Sequence, residues 1–173
     1  MYDAFMTMKA AKLGKIEGST FNKSKAGWID ILDFEHQLTS PRDPSTGQAA
    51  GKVKFGLVKV KKPIDKATPL LYQALATNDL IQEVLFEFYT SGATAAGRKY
   101  LDIKLTNAFV AEVTMDQQDI EMGKAGDRGE IGTKFVQTVA LSYYQMSWKY
   151  QGYNMKGEAE GGPKESQVQW AEV

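Results

Sequence analysis

Apolar and polar residues alternate at every second position over much of this chain, which is the pattern of half-buried β-strands. It is clearest over residues 101–115. There Leu101, Ile103, Leu105, Phe109, Ala111, Val113 and Met115 are predicted to share one face, and Asp102, Lys104, Thr106, Glu112 and Thr114 the other. About fifteen residues in phase is long against the usual ~5–6 of a strand and predicts a curved strand wrapping a barrel. Val84, Phe86 and Phe88 alternate with Glu83, Glu87 and Tyr89 in the same way. Two segments change phase. Val53, Phe55 and Leu57 are apolar at odd positions, Val58 and Val60 at even ones. A single phase would bury Lys59 and Lys61, so a β-bulge near Gly56 is predicted. Val139, Leu141 and Tyr143 give way to Tyr144, Met146, Trp148 and Tyr150. That change predicts either a second bulge near Tyr143 or a strand covered on both faces. Residues 28–34 are apolar on both faces and need a second cover. The cover is either the helix or a loop of the same chain, or a neighbouring subunit meeting Trp28, Ile29 and Ile31.

One segment breaks the β pattern. Leu70, Leu71, Ala74 and Leu75 form a single apolar stripe at helical spacing, following Asp65, Thr68 and Pro69. Thr68 can act as N-cap and Pro69 fits the first helical position, which predicts a helix over about 69–78. So short a helix is marginal alone and must lean on a larger body. Three stretches read as loops. Residues 39–50 are polar, carry two prolines and predict a long protruding loop, a kind of segment that often binds something. Residues 116–133 predict a hairpin tip, and the Gly-rich residues 152–166 lead to a last alternating piece at Val168 and Trp170. No repeat or linker divides the chain. The expected architecture is therefore one mainly β domain over 1–173: a compact antiparallel β-barrel of two curved sheets with one short lateral helix.

Composition narrows the functions. The 21 basic residues balance the 21 acidic ones, which argues against binding nucleic acid or anionic membrane by bulk charge. The chain has no cysteine, so it holds no disulfide, thiolate nucleophile or Cys metal site. No stretch approaches a membrane span, and the N-terminus lacks the charged and apolar regions of a signal peptide. The expectation is a protein made in the cytoplasm whose export, if any, uses no cleaved signal. Candidate chemistry is sparse. His36 is the single histidine and has no nucleophile elbow or metal partners near it. Asp116, Asp119 and Glu121 fit no calcium loop and read as a solvated turn. Residues 123–129 lack the Gly-Lys-Ser/Thr ending of a phosphate loop. Lys52, Lys54, Lys59 and Lys61 read as a solvated strand face. Neither catalysis nor a cofactor nor a metal is expected.

Four segments resemble the haemolysin-coregulated protein family (Hcp), the tube protein of bacterial type VI secretion. Residues 28–34 (Trp-Ile-Asp-Ile-Leu-Asp-Phe) resemble its I-x-V-L-x-F strand, and residues 51–55 its G-K-v-x-F. Residues 65–71 (Asp-Lys-Ala-Thr-Pro-Leu-Leu) are similar to its D-K-A-S-P-x-L helix start, and residues 143–150 to its last long strand, Y-x-K-I-x-W-x-Y. Residues 100–105 fit between them in order. The chain departs from the family at Glu35-His36-Gln37, where small or aromatic residues are usual, and at Gln137-Thr138, where an acidic residue is usual. The resemblance implies a small β-barrel with a lateral helix. It implies hexameric rings that stack into a hollow tube, move with the spike and sheath components, and carry small effectors in the lumen. It also implies a structural protein without an active site, assembled in the cytoplasm and then secreted. About twenty residues follow Tyr150, too few for the C-terminal toxin domain of some members. The interface expected from this reading comprises Pro41, Arg42 and Asp43 on the protruding loop together with Trp28, Ile29 and Ile31. A monomeric β-barrel binding module and a phage-tail-like tube protein outside secretion are the competing expectations.

Overall fold

The computed structural model describes residues 2–90, 97–118, 134–154 and 156–170. The predicted tip at 116–133 and the 123–129 segment fall outside these residues from position 119 onward. The chain runs through β1 (Tyr2–Ala10), β2 (Gly14–Ile16), β3 (Ile29–Ile31), β4 (Asp33–Glu35), β5 (Leu38–Thr39), β6 (Lys54–Phe55) and β7 (Val58–Pro63). It continues through α1 (Ala67–Ala76), β8 (Ile81–Thr90), β9 (Arg98–Gln118), β10 (Lys134–Tyr150) and β11 (Lys164–Gln169). The mainly β class with one helix is as the alternation predicts.

All the pairings are antiparallel. The main sheet has nine strands in the order β2-β1-β8-β9-β10-β7-β4, with β11 also on β10 and β3 also on β1. Residues 29–35 join the two ends of this path. Ala4 pairs with Ile31 and Met6 with Ile29, whereas Asp33 pairs with Lys61 and Glu35 with Lys59. The change of partner falls at Leu32, whose N–H donates to the Lys61 carbonyl at 2.8 Å. The predicted two-sided strand is therefore two short strands that staple β1 to β7. The core inside the curved sheet is aliphatic and sulfur-rich, with Met6, Met8, Ile29, Val58, Val60, Phe86, Leu105, Leu141 and Met146 all buried. Met fills irregular gaps with little strain, which suits a sheet that changes curvature along its length.

The helix starts two residues earlier than predicted, at Ala67, and Thr68 is not its N-cap. Lys66 holds that position without a side-chain bond, and Asp65 before it supplies the cap: its Oδ1 accepts the Ala67 N–H at 3.0 Å, while the Thr68 hydroxyl accepts the Asp65 N–H at 3.1 Å. This reciprocal arrangement satisfies two orphan donors of the first turn. Pro69, the third helical residue, still lies where a missing N–H costs nothing. Leu71 and Ala74 face the core, the helix stops at Ala76, and Asn78 just beyond it takes a left-handed φ of 49°. Asp79 follows, buried, and its carboxylate accepts the N–H groups of Lys12 (3.0 Å) and Leu13 (2.9 Å). The helix end is thus tied to the β1–β2 turn.

The long alternation does not hold its phase. Ile103 and Leu105 face inward as predicted, but Ala108 and Val110 are buried while Phe109, Ala111 and Met115 are exposed. Asn107, at φ 51°, reverses the facing. A register shift between Ala140 and Leu141 leaves Ala111 without a direct partner and reverses it again. On β10 the facing changes between Tyr143 and Met146, yet the ladder there keeps its register, so the bulge lies nearer Ala140 than predicted. No bulge forms at Gly56 either: the chain breaks into β6 and β7 at Gly56–Leu57.

Candidate functional site

Residues 38–55, predicted to be an irregular loop from 39 to 50, form an ordered hairpin arm. Leu38 pairs with Phe55, Thr39 with Lys54, and Arg42 with Ala49. Asp43 shapes the tip, accepting the N–H groups of Ser45 at 2.7 Å and Thr46 at 2.9 Å. Those two N–H groups, Thr46 foremost, hold the Asp43 carboxyl below its ordinary range. The Pro41 carbonyl accepts the Ala50 N–H, and the Arg42 side chain is exposed. No residue of the arm is buried. A two-stranded hairpin is marginal alone in water, so the root must hold this one in place.

The root is aromatic. Phe55 stacks on Trp170 with ring centroids 5.1 Å apart and meets Tyr143 edge-on at 6.2 Å. Tyr143 is buried, and its hydroxyl lies 2.7 Å from Nε2 of His36, in the short link between β4 and β5 that leads into the arm. Burial pushes the Tyr143 phenol up to about 12, so it stays neutral and keeps its proton. The segments entering and leaving the arm touch at Gly56, whose N–H donates to the Gln37 carbonyl at 2.9 Å. A Cβ at position 56 would lie 2.6 Å from that carbonyl oxygen, so only glycine permits the approach.

The second expected interface segment divides. Ile29 is fully buried in its own subunit and offers nothing to a neighbour, because its inward phase places it in the core. Trp28 and Ile31 are half-buried and Leu32 is 57% exposed, so the outward surface of this segment is centred later than predicted. The Trp28 ring carries the Lys25 ammonium 4.1 Å from its centroid.

Two charged clusters escaped the sequence reading. Lys62 is completely buried beneath the helix start, and its Nζ donates to Pro63 O and Asp65 Oδ1, both at 2.7 Å, and to Gln137 Oε1 at 3.2 Å. Burial lowers its pKa, and Asp65 opposes this only in part. Gln137 accepts here through Oε1, and its Nε2 is buried with no partner among the described residues. The signal for Lys62 was present, since it continues the even phase of the buried Val58 and Val60. The second cluster lies on the opposite face of the sheet. Glu87 accepts from Lys25, from Lys99 at 3.2 Å and from the Tyr89 hydroxyl at 2.7 Å. Burial pushes Glu87 up, but the bonds from Lys25 and Tyr89 and the Lys99 charge outweigh it and hold the carboxyl below its ordinary range. On the same face an open groove of about 550 Å³ runs across β8 to β11, lined by Asp102, Lys104, Lys149 and Glu165. Its charges are paired within the chain, Lys104 with Glu83 at 2.6 Å and Lys149 with Glu165 at 2.8 Å. Among the described residues no three metal-ligating side chains converge, and no helix is long and apolar enough to cross a membrane.

The described residues thus form a curved antiparallel sheet whose groove charges are paired within the chain, and an ordered hairpin arm with no buried residue. The chain belongs to the Hcp family of type VI secretion: the family described as "Type VI secretion system effector, Hcp" matches residues 5–150. That is a family of structural secreted proteins rather than of enzymes. The chain is 25% identical over 157 residues to the major exported protein of Pseudomonas aeruginosa PAO1, covering 86% of this chain and 88% of that one. Its fold is similar to that of Hcp1 from E. coli EAEC 042, with a TM-score of 0.75, 22% identity, and coverage of 98% and 99% of the two chains. It is also similar to the secreted protein Hcp3 from Pseudomonas aeruginosa, with a TM-score of 0.72, 18% identity, and coverage of 99% and 100%.

Proposed function

We propose that this chain is the structural subunit of a type VI secretion inner tube. Six copies close into a ring, rings stack into a hollow tube, and small effectors travel in the lumen alongside the spike and sheath components. Residues 1–173 act as one domain, assembled in the cytoplasm and exported without a cleaved signal. The observation that carries this reading is the arm: some eighteen residues are held in a defined hairpin although none of them is buried. Ordering backbone costs about 1–2 kcal/mol per residue, and a neighbouring copy would offset that cost where the subunit's own core does not. Pro41, Arg42 and Asp43 at the arm tip, with Trp28 and Ile31 on the seam, are the proposed contacts. A heterologous contact of this kind closes into a ring when its rotation allows.

Native mass spectrometry and negative-stain imaging of the purified chain test the proposal. Rings of six are expected. A chain that stays monomeric at high concentration and moderate salt overturns it in favour of a solitary binding module. Replacing residues 39–50 with a short Gly-Ser turn should leave the barrel folded and weaken assembly. Rings that persist unchanged would reduce the arm to a surface loop.

A further inference from the structure

His36 is the only histidine of the chain, and it sits between β4 and β5, at the point where the barrel wall becomes the arm. Its Nε2 lies 2.7 Å from the Tyr143 hydroxyl, and its ring also faces Trp148 with centroids 6.4 Å apart. Tyr143 in turn touches Phe55, which stacks on Trp170. The arm's seat on the barrel is thus a chain of aromatic contacts running through one imidazole.

The groups around that imidazole decide what a proton would do. β10 contributes Tyr143 and Trp148, and Tyr143 is the only titratable group touching the ring among the described residues. Phe55 of β6 and Trp170 beyond β11 are uncharged. The adjoining Glu35 is exposed and stands opposite Lys59 on β7. Burial alone lowers the His36 pKa, with no carboxylate nearby to hold an imidazolium. In the tautomer with its proton on Nδ1, neutral His36 accepts the Tyr143 proton at Nε2. Protonated His36 instead carries a donor on Nε2, so the contact reverses, the proton of the buried phenol is left without an acceptor, and a charge stands in a half-buried aromatic seat with no counter-ion among the described residues.

We propose that the His36–Tyr143 hydrogen bond is an acid-sensitive hinge that seats the arm at neutral pH and releases it when His36 is protonated. That releasing the arm weakens assembly rests on the tube reading above; the hinge itself does not.

The full chain is examined between pH 7.5 and 5. The lone imidazole is followed by NMR, and residues 38–55 by amide hydrogen exchange corrected for its intrinsic pH dependence. Leaving the buried Tyr143 proton unpaired beside an uncompensated charge should speed exchange across the arm by about fivefold or more, with the same midpoint as the imidazole titration. The His36→Gln variant, whose amide oxygen can accept the same proton but does not titrate, should hold its arm exchange constant over this range. The Tyr143→Phe variant should show fast arm exchange already at pH 7.5, with no further acid response. The proposal is overturned if wild-type arm exchange is flat through the imidazole titration, or if His36→Gln retains the acid response. Ring formation, measured in parallel, keeps the two readings apart. Rings with a pH-insensitive arm remove the hinge and leave the tube, and a responsive arm on a permanent monomer does the reverse.

Discussion

Replacing Lys62 by Met removes a buried charge while keeping the length of the side chain. The magnitude follows from what each partner loses. Thr68 Oγ1 keeps the Asp65 N–H and its bond to Gln137 Oε1, and Asp65 Oδ1 keeps the Ala67 N–H. The Pro63 carbonyl loses the ammonium, and the Asp65 carboxylate, whose side chain is only 9% exposed, loses its cation. Breaking one side of a buried pair costs about 3–5 kcal/mol, and Met leaves little cavity to add to it. At a urea slope of ~2 kcal/mol/M the unfolding midpoint should fall by roughly 1.5–2.5 M with the slope unchanged. The pH dependence gives a second test. Burial lowers the folded-state pKa of Lys62 below 10.5, so between those two values the unfolded chain holds a proton that the folded one has released. Stability contributed by this residue therefore rises with pH across that window, and wild type should gain on Lys62→Met as the solution becomes alkaline. Lys25 and Lys99 have raised pKa values; their contribution is present below 10.5 and is lost as pH climbs through the folded pKa. They are common to both proteins and cancel in the comparison. A midpoint within about 0.5 kcal/mol of wild type at neutral pH would mean that the ammonium contributes no net stability beneath the helix, and the reasoning would fail.

Two further outcomes are expected. Leu71→Ala, at a fully buried position of the helix, should cost about 2–5 kcal/mol in urea unfolding through the cavity it leaves. An unchanged midpoint combined with lost effector binding would make the helix a recognition element instead. Glu87, with its folded pKa held below 4.5, contributes stability that is present above that value and lost as pH falls through the folded pKa. Glu87→Gln should therefore unfold more easily at pH 7 and show a flatter acid limb than wild type, measured by thermal melts from pH 7 to 3.

The strand-rich class was legible because period two needs only that one face be buried, and the helix because its leucine spacing cannot serve a strand. The phase reversals were hidden for a physical reason. Asn107 and Ala111 turn the facing through backbone geometry, and Phe109 and Val110 are both apolar, so the letters do not say which is buried. The order of the arm was also hidden, since its pairing depends on Phe55 meeting Trp170, 115 positions further along the chain. The root of the candidate site was invisible likewise: His36 and Tyr143 are 107 residues apart. Lys62 was passed over because a lysine draws no attention as a core residue unless its strand phase is trusted over its charge.

The pairing of β7 with β10 has a consequence for how the chain is made. Residues 58–63 leave the ribosome long before their partners at 136–141 exist, and β1 waits in the same way for β8. At about 5–20 residues per second the β7 strand spends several seconds with an edge and an apolar face uncovered. The meander from β8 to β10 is local and can form as soon as it emerges, so the N-terminal third is synthesised first and settled last. Every nascent subunit thus passes through an interval in which strands destined for its own barrel are open to those of another copy emerging nearby.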